Sequence, residues 1–75
     1  MKRYGKIITY DGYVGNIIDD KGIKYIFTSR DIKDKTIVEG DFVTFNVEVF
    51  ETIEIKEYTA RFISKVKKEE KSTNM

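Results

Sequence analysis

The sequence predicts an all-β fold, a small five-stranded antiparallel barrel of the OB type, and three observations predict it. Apolar and polar residues alternate through several short segments. Turn signals separate those segments at Asp11-Gly12, at Asp19 to Gly22 and at Gly40-Asp41. A chain of 75 residues is too short for a sandwich, so a sheet of this size hides its edges by closing on itself. The same strands also fit an SH3-like barrel, and the pattern leaves both forms open.

The elements follow in order. "KIITYDGYVGNII" sets Asp11-Gly12 between two β-rich runs, and Asp-Gly supplies the positive φ angles of a tight hairpin turn. "DDKG" is a second turn by the same chemistry. In "IKYIFT", Ile23, Tyr25 and Phe27 share one face, while Lys24, Ile26 and Thr28 share the other. The first set is expected inward. A one-residue slip would instead turn Tyr25 and Phe27 outward and Lys24 inward. Ser29 or Asp31 is placed to cap a short helical turn that tucks Ile32 into the core.

"EGDFVTFNVEVF" is the clearest strand: Val43, Phe45, Val47 and Val49 alternate with Thr44, Asn46 and Glu48. Phe42 falls on its outer face, where it either covers a loop or stays partly exposed. "ETIEIKE" either extends that strand into a hairpin arm or forms a mobile loop. "YTARFISKV" is the last strand, with Tyr58, Ala60 and Phe62 on one face. The barrel is expected over residues 1–66. The charged 67–75, with nothing to bury, is expected to be a disordered tail.

Composition narrows the chemistry. There is no cysteine and no histidine, which removes a thiolate metal site, the usual zinc ligand and the commonest general base. The chain is therefore expected not to be an enzyme and to need no cofactor. No apolar run approaches the ~18 residues of a membrane span. The opening "MKRYGKIITY" lacks the apolar core and cleavage site of a signal peptide. A soluble, cytoplasmic monomer without a membrane partner is expected.

Net charge is only +1, but it is unevenly spread. Residues 1–38 carry eight basic and five acidic side chains, residues 39–57 one basic and six acidic, and residues 58–75 five basic and two acidic. That distribution suggests one basic face and one acidic edge. Solvation of a small surface accounts for the same charges equally well.

The order of these features resembles the bacterial cold-shock domain family across roughly residues 4–66. The resemblance rests on Gly5-Lys6-Ile7, on Tyr13-Val14-Gly15-Asn16-Ile17, on Ile26-Phe27-Thr28 with Asp31-Ile32, on "EGDFVTF" from Glu39 to Phe45, and on Ala60 with Ile63. It implies an OB barrel whose outer face of strands one to three stacks bases, and a role in RNA chaperoning or in regulating transcription or translation. The chain departs from that pattern where it counts for binding. Thr9 stands where a tryptophan is usual. Val14 and Asn16 replace two aromatics, and Ile26, Thr28 and Ser29 replace an aromatic, a histidine and an aromatic. The loop aromatic after the third strand falls at Asp34. Each stacked base contributes ~1–3 kcal/mol by alanine substitution, so several lost platforms imply weak binding.

The expected partner is single-stranded RNA or DNA. Phosphates are assigned to Lys6, Lys24, Arg30 and Arg61 and stacking to Tyr10 and Tyr13, with Asn16 and Thr28 on the binding face; Phe27 joins the stacking set only in the slipped register. Tyr10 and Tyr13 flank the first turn, so they are either a cross-strand pair that stabilises the hairpin or an exposed stacking site. Lys65, Lys67 and Lys68 read as a charged tail. The competing reading is a protein-interaction module that presents the acidic stretch Glu48 to Glu57 to a protein partner.

Overall fold

In the computed structural model, which describes residues 2–66, five strands close into one barrel. They are β1 (Lys2–Tyr10), β2 (Val14–Asp19), β3 (Lys24–Thr28), β4 (Phe42–Glu51) and β5 (Lys56–Lys65), in the order β1-β2-β3-β5-β4, with β4 returning to β1. Among the described residues, helix is confined to one 3-10 turn, Ser29–Asp31. An OB-like barrel describes this arrangement. The tail expected over 67–75 lies outside the described residues.

The barrel is mixed rather than wholly antiparallel, which corrects the expectation. Four neighbouring pairs are antiparallel, and β3 meets β5 in parallel through Ile26 and Thr59. Parity requires this. Strand direction cannot alternate around a closed ring of five, so one seam has to join parallel neighbours. A second parallel bridge, Ile32 to Ile63, extends the seam past the 3-10 turn.

The core follows from the alternation. Ile7, Ile17, Tyr25, Phe27, Ile37, Val43, Phe45, Ala60 and Ile63 are buried together. Each large member contributes roughly 1.5–3 kcal/mol by leaving water. Tyr25 packs edge-on against Phe45, with ring centroids 4.9 Å apart. Tyr25 and Phe27 point inward, so the slipped register of β3 is excluded. Gly15 on β2 has to be a glycine, because a Cβ there would meet the Phe27 ring at 2.6 Å.

Four local expectations change. The first hairpin has a three-residue connection, Asp11 to Tyr13, so Tyr10 pairs with Gly15 and not with Tyr13. Asp11 Oδ1 accepts the N–H groups of Tyr13 and Val14 at 2.9 and 3.0 Å, and Gly12 takes the positive φ. The 3-10 turn is capped by Thr28, whose N–H donates to Asp31 Oδ2 at 2.9 Å. On β4, Val47 is only partly buried and Val49 is exposed, because the strand outruns the barrel. On β5, Phe62 faces solvent and not the core. Register shifts across β4–β5, where Thr44 meets Ser64 but Asn46 meets Arg61. Phe62 takes φ 53° within that bulge, and Ile63 becomes the next inward residue after Ala60.

"ETIEIKE" forms the arm and not a loop. Glu51 pairs with Lys56, and the Thr52 N–H donates to the Ile55 carbonyl at 2.7 Å. The arm carries Val49, Phe50, Ile53 and Ile55 into solvent.

Candidate nucleic-acid interface

Strand pairing sets the outer face of β1–β3 into lateral rows. Thr9, Asn16 and Ile26 lie abreast, as do Lys6, Ile18 and Lys24, and Val14 lies opposite Thr28. A bulge at Ile8 keeps Thr9 in step with Asn16. Asn16 is held in place: its Oδ1 accepts the Thr9 hydroxyl at 3.2 Å, and its Nδ2 donates to the Tyr25 carbonyl at 3.4 Å. Lys6, Lys24 and Thr28 are exposed on this face. Arg30 is exposed on the 3-10 turn beside it.

Of the eleven cations among the described residues, three pair with carboxylates and eight, Lys2, Lys21, Lys33, Lys35 and Lys56 among them, make no ion pair with a described residue. Arg3 lies 3.9 Å from Asp19, Arg61 lies 3.0 Å from both Asp31 and Glu48, and Lys65 lies 3.4 Å from Asp41. Lys6, Lys24 and Arg30 make no ion pair with a described residue. Arg61 was assigned to phosphate from the sequence, and its geometry corrects that. Its guanidinium ties β5 to β4 and to the 3-10 turn, and its pKa is raised first by the hydrogen bond it donates to Glu48 and then by the charges of Glu48 and Asp31.

The aromatic assignments separate as well. Tyr13 stands exposed on the first loop. Tyr10 is half-buried, with its ring 5.2 Å from that of Phe27 and its edge on a pocket of about 220 Å³ shared with Ser29, Lys35 and Ile37. Phe27 is fully buried, so it presents no face to a base, and Ile26 and Thr28 occupy the surface instead. The cause is the alternation of β3, which can send Phe27 or Ile26 outward but not both.

Several residues join the site that the sequence did not assign to it. Lys56 and Tyr58, at the root of the arm, line a cleft of about 180 Å³ with Asn16, Lys24, Ile26 and Glu57. This puts a second lysine beside Lys24. Tyr4 and Phe42 are both exposed at the other end of the Lys6 row. Only the strand pairings, which join residues far apart in sequence, bring these side chains together.

Beneath the face, Asp19 is buried at the end of β2. Its Oδ1 accepts the N–H groups of Lys21 and Ile23, each at 2.9 Å, and its Oδ2 accepts the Tyr25 hydroxyl at 2.7 Å. Burial works to raise the Asp19 pKa, but the bonds from Tyr25, Ile23 and Lys21, with Arg3 nearby, outweigh it and hold the carboxyl below its usual range. Burial, and then the Asp19 partner, push the Tyr25 phenol up to about 12. This pair braces the turn that precedes Lys24.

Comparison with protein-family models and with curated proteins finds no match for this chain. The architecture defines a small OB-like β-barrel. Among the described residues no cluster of His, Cys, Asp or Glu is arranged to hold a metal, and no helix is long and apolar enough to cross a membrane.

Proposed function

We propose that this barrel binds single-stranded RNA or DNA across the outer face of β1–β3, weakly and with little sequence preference. One observation carries the reading. Arg3, Arg61 and Lys65 are neutralised by carboxylates, whereas Lys6, Lys24 and Arg30 stand exposed with no ion-pair partner among the described residues. Cations without internal partners release counterions when they meet phosphates, and this drives sequence-independent binding. Ile26 and Val14 offer apolar floor, and Tyr13 offers an exposed ring. Few aromatics face outward on β1–β3, which argues for modest affinity. The resemblance to cold-shock domains supports the same reading and suggests RNA chaperoning or control of transcription or translation.

Titration with a heptanucleotide tests it. Chemical-shift changes are expected to cluster on residues 6–30. With two to four phosphate contacts, log K is expected to fall against log salt with a slope of roughly −1.4 to −2.8. Lys24→Ala and Arg30→Ala are expected to flatten that slope. No shift at millimolar strand would overturn the reading.

The arm supports a second reading. Val49, Phe50, Ile53 and Ile55 are exposed among Glu48, Glu51, Glu54 and Glu57. Exposed apolar side chains interspersed with carboxylates suit a protein partner with an apolar, basic surface. If the heptanucleotide fails, the arm becomes the contact surface to test.

A further inference from the structure

A groove on the barrel lies beside the face just described. It measures about 430 Å³ and is lined by Tyr4, Lys6, Ile18, Asp20, Phe42 and Val66. Its lining is largely apolar, and Tyr4 and Phe42 are both more than half exposed. Lys6 holds its Nζ 5.6 Å from the centroid of the Phe42 ring.

The register joins this groove to the cationic face. Lys24 lies opposite Ile18, Ile18 opposite Lys6, and Lys6 opposite Phe42. These four positions form one row across β3, β2, β1 and β4. At the usual strand spacing the row spans roughly 14 Å. A single strand crossing the barrel along it meets a cation at Lys24, an apolar step at Ile18, a cation at Lys6 and then an aromatic ring.

We propose that the Tyr4–Phe42 groove is a base-stacking subsite that takes one nucleobase of the strand held on β1–β3. The proposal rests on the single-strand reading above and extends it past β1 onto β4, where the sequence pattern assigned no base. Phe42 supplies the stacking platform and Tyr4 the second wall. Lys6 lies over the Phe42 ring. When a base enters, the ammonium swings off the ring onto the adjoining phosphate, so one flexible side chain covers the platform and then anchors the strand. Asp20 is the rim carboxylate. It repels phosphate from its own side and so sets the polarity of entry: backbone toward Lys6, base toward Phe42. The carboxylate of neighbouring Asp19 is already engaged by Tyr25, Lys21 and Ile23 and takes no part.

The test is oligothymidylate of seven residues, titrated into the intact chain and followed by backbone and aromatic-ring resonances. The Tyr4 and Phe42 ring signals are expected to shift together with the amides of Lys6 and Lys24. Phe42→Ala and Phe42→Leu are each expected to weaken binding by about fivefold or more, the lower end of a lost stacking contact. The leucine variant keeps apolar volume on the strand, so it separates loss of the ring from loss of fold. If the β1–β3 amides shift while the Tyr4 and Phe42 rings do not, or if Phe42→Leu binds like the parent, the subsite is overturned and the single-strand reading stands. If no resonance moves at millimolar oligothymidylate, both fall together.

Discussion

Asp19 and Tyr25 show what one buried pair does for a domain with so small a core. The phenol donates to a carboxylate that also collects two backbone N–H groups, so the turn, β2 and β3 are joined at one point. Tyr25→Phe removes a charge-assisted bond and is expected to cost about 1.5–3 kcal/mol, measured by denaturant unfolding. The pair also sets two pH limits. The Asp19 carboxyl sits below its usual 3.8 in the folded chain, so its stabilisation is present above that pH and is lost as acid protonates it below. The Tyr25 phenol is raised from 10 to about 12, so its stabilisation is present below pH 10 and fades as pH climbs toward 12. Melting temperature against pH is expected to decline at both ends, and Tyr25→Phe is expected to abolish the alkaline decline due to this phenol. The sequence marked Asp19 only as a turn residue. Its burial depends on Tyr25 and Arg3 reaching it from other strands, and no local signal carries that.

Among the elements, β5 departs furthest from what alternation predicts. Period-two reading places Ala60 and Phe62 together, and the bulge separates them by holding Phe62 at φ 53°. That conformation costs an L-residue about 1–2 kcal/mol, more for a β-branched one, and asparagine tolerates it well. Phe62→Asn is therefore expected to match or exceed the parent in stability, and Phe62→Val to fall about 1 kcal/mol below it. Equal melting temperatures for Asn and Val would show that the bulge relaxes on substitution. β3 behaves as its alternation predicts, which buries Phe27 and removes it from the candidate interface. The outward set Lys24, Ile26 and Thr28 was legible because β3 has no bulge. The meeting of Tyr4 with Phe42 was not, because it depends on the register between β1 and β4.

For the whole molecule, the strand number, the turn positions and most of the core could be read from the sequence, because each follows from nearest-neighbour alternation and from Gly and Asp chemistry. Phe45 is the test of that core. It is fully buried against Tyr25, and Phe45→Ala is expected to cost ~3–5 kcal/mol, close to the entire stability of a domain this size. Thermal melting would place it, and a shift of only a few degrees would show that the core repacks around the loss. The charge segregation was legible too, though not which cations are neutralised. Arg61 looked like any other surface base until β4 and the 3-10 turn brought carboxylates to it.

The parallel contact between β3 and β5 has a dynamic consequence. The antiparallel pairs run in register over several residues, whereas this one consists of Ile26 with Thr59 and Ile32 with Ile63. It is supported by the Lys33 N–H donating to the Ile63 carbonyl at 2.9 Å and by Arg61 clasping Asp31. A ring opens where its joint is narrowest, so the native barrel should breathe along this line while the β1–β2 and β4–β5 ladders stay shut. In hydrogen exchange, the Lys33 amide is expected to exchange well before those of Ile17 and Val43. Arg61→Gln is expected to speed Lys33 further and leave the other two almost unchanged. Uniform acceleration of all three would mean that the ring opens only by unfolding as a whole.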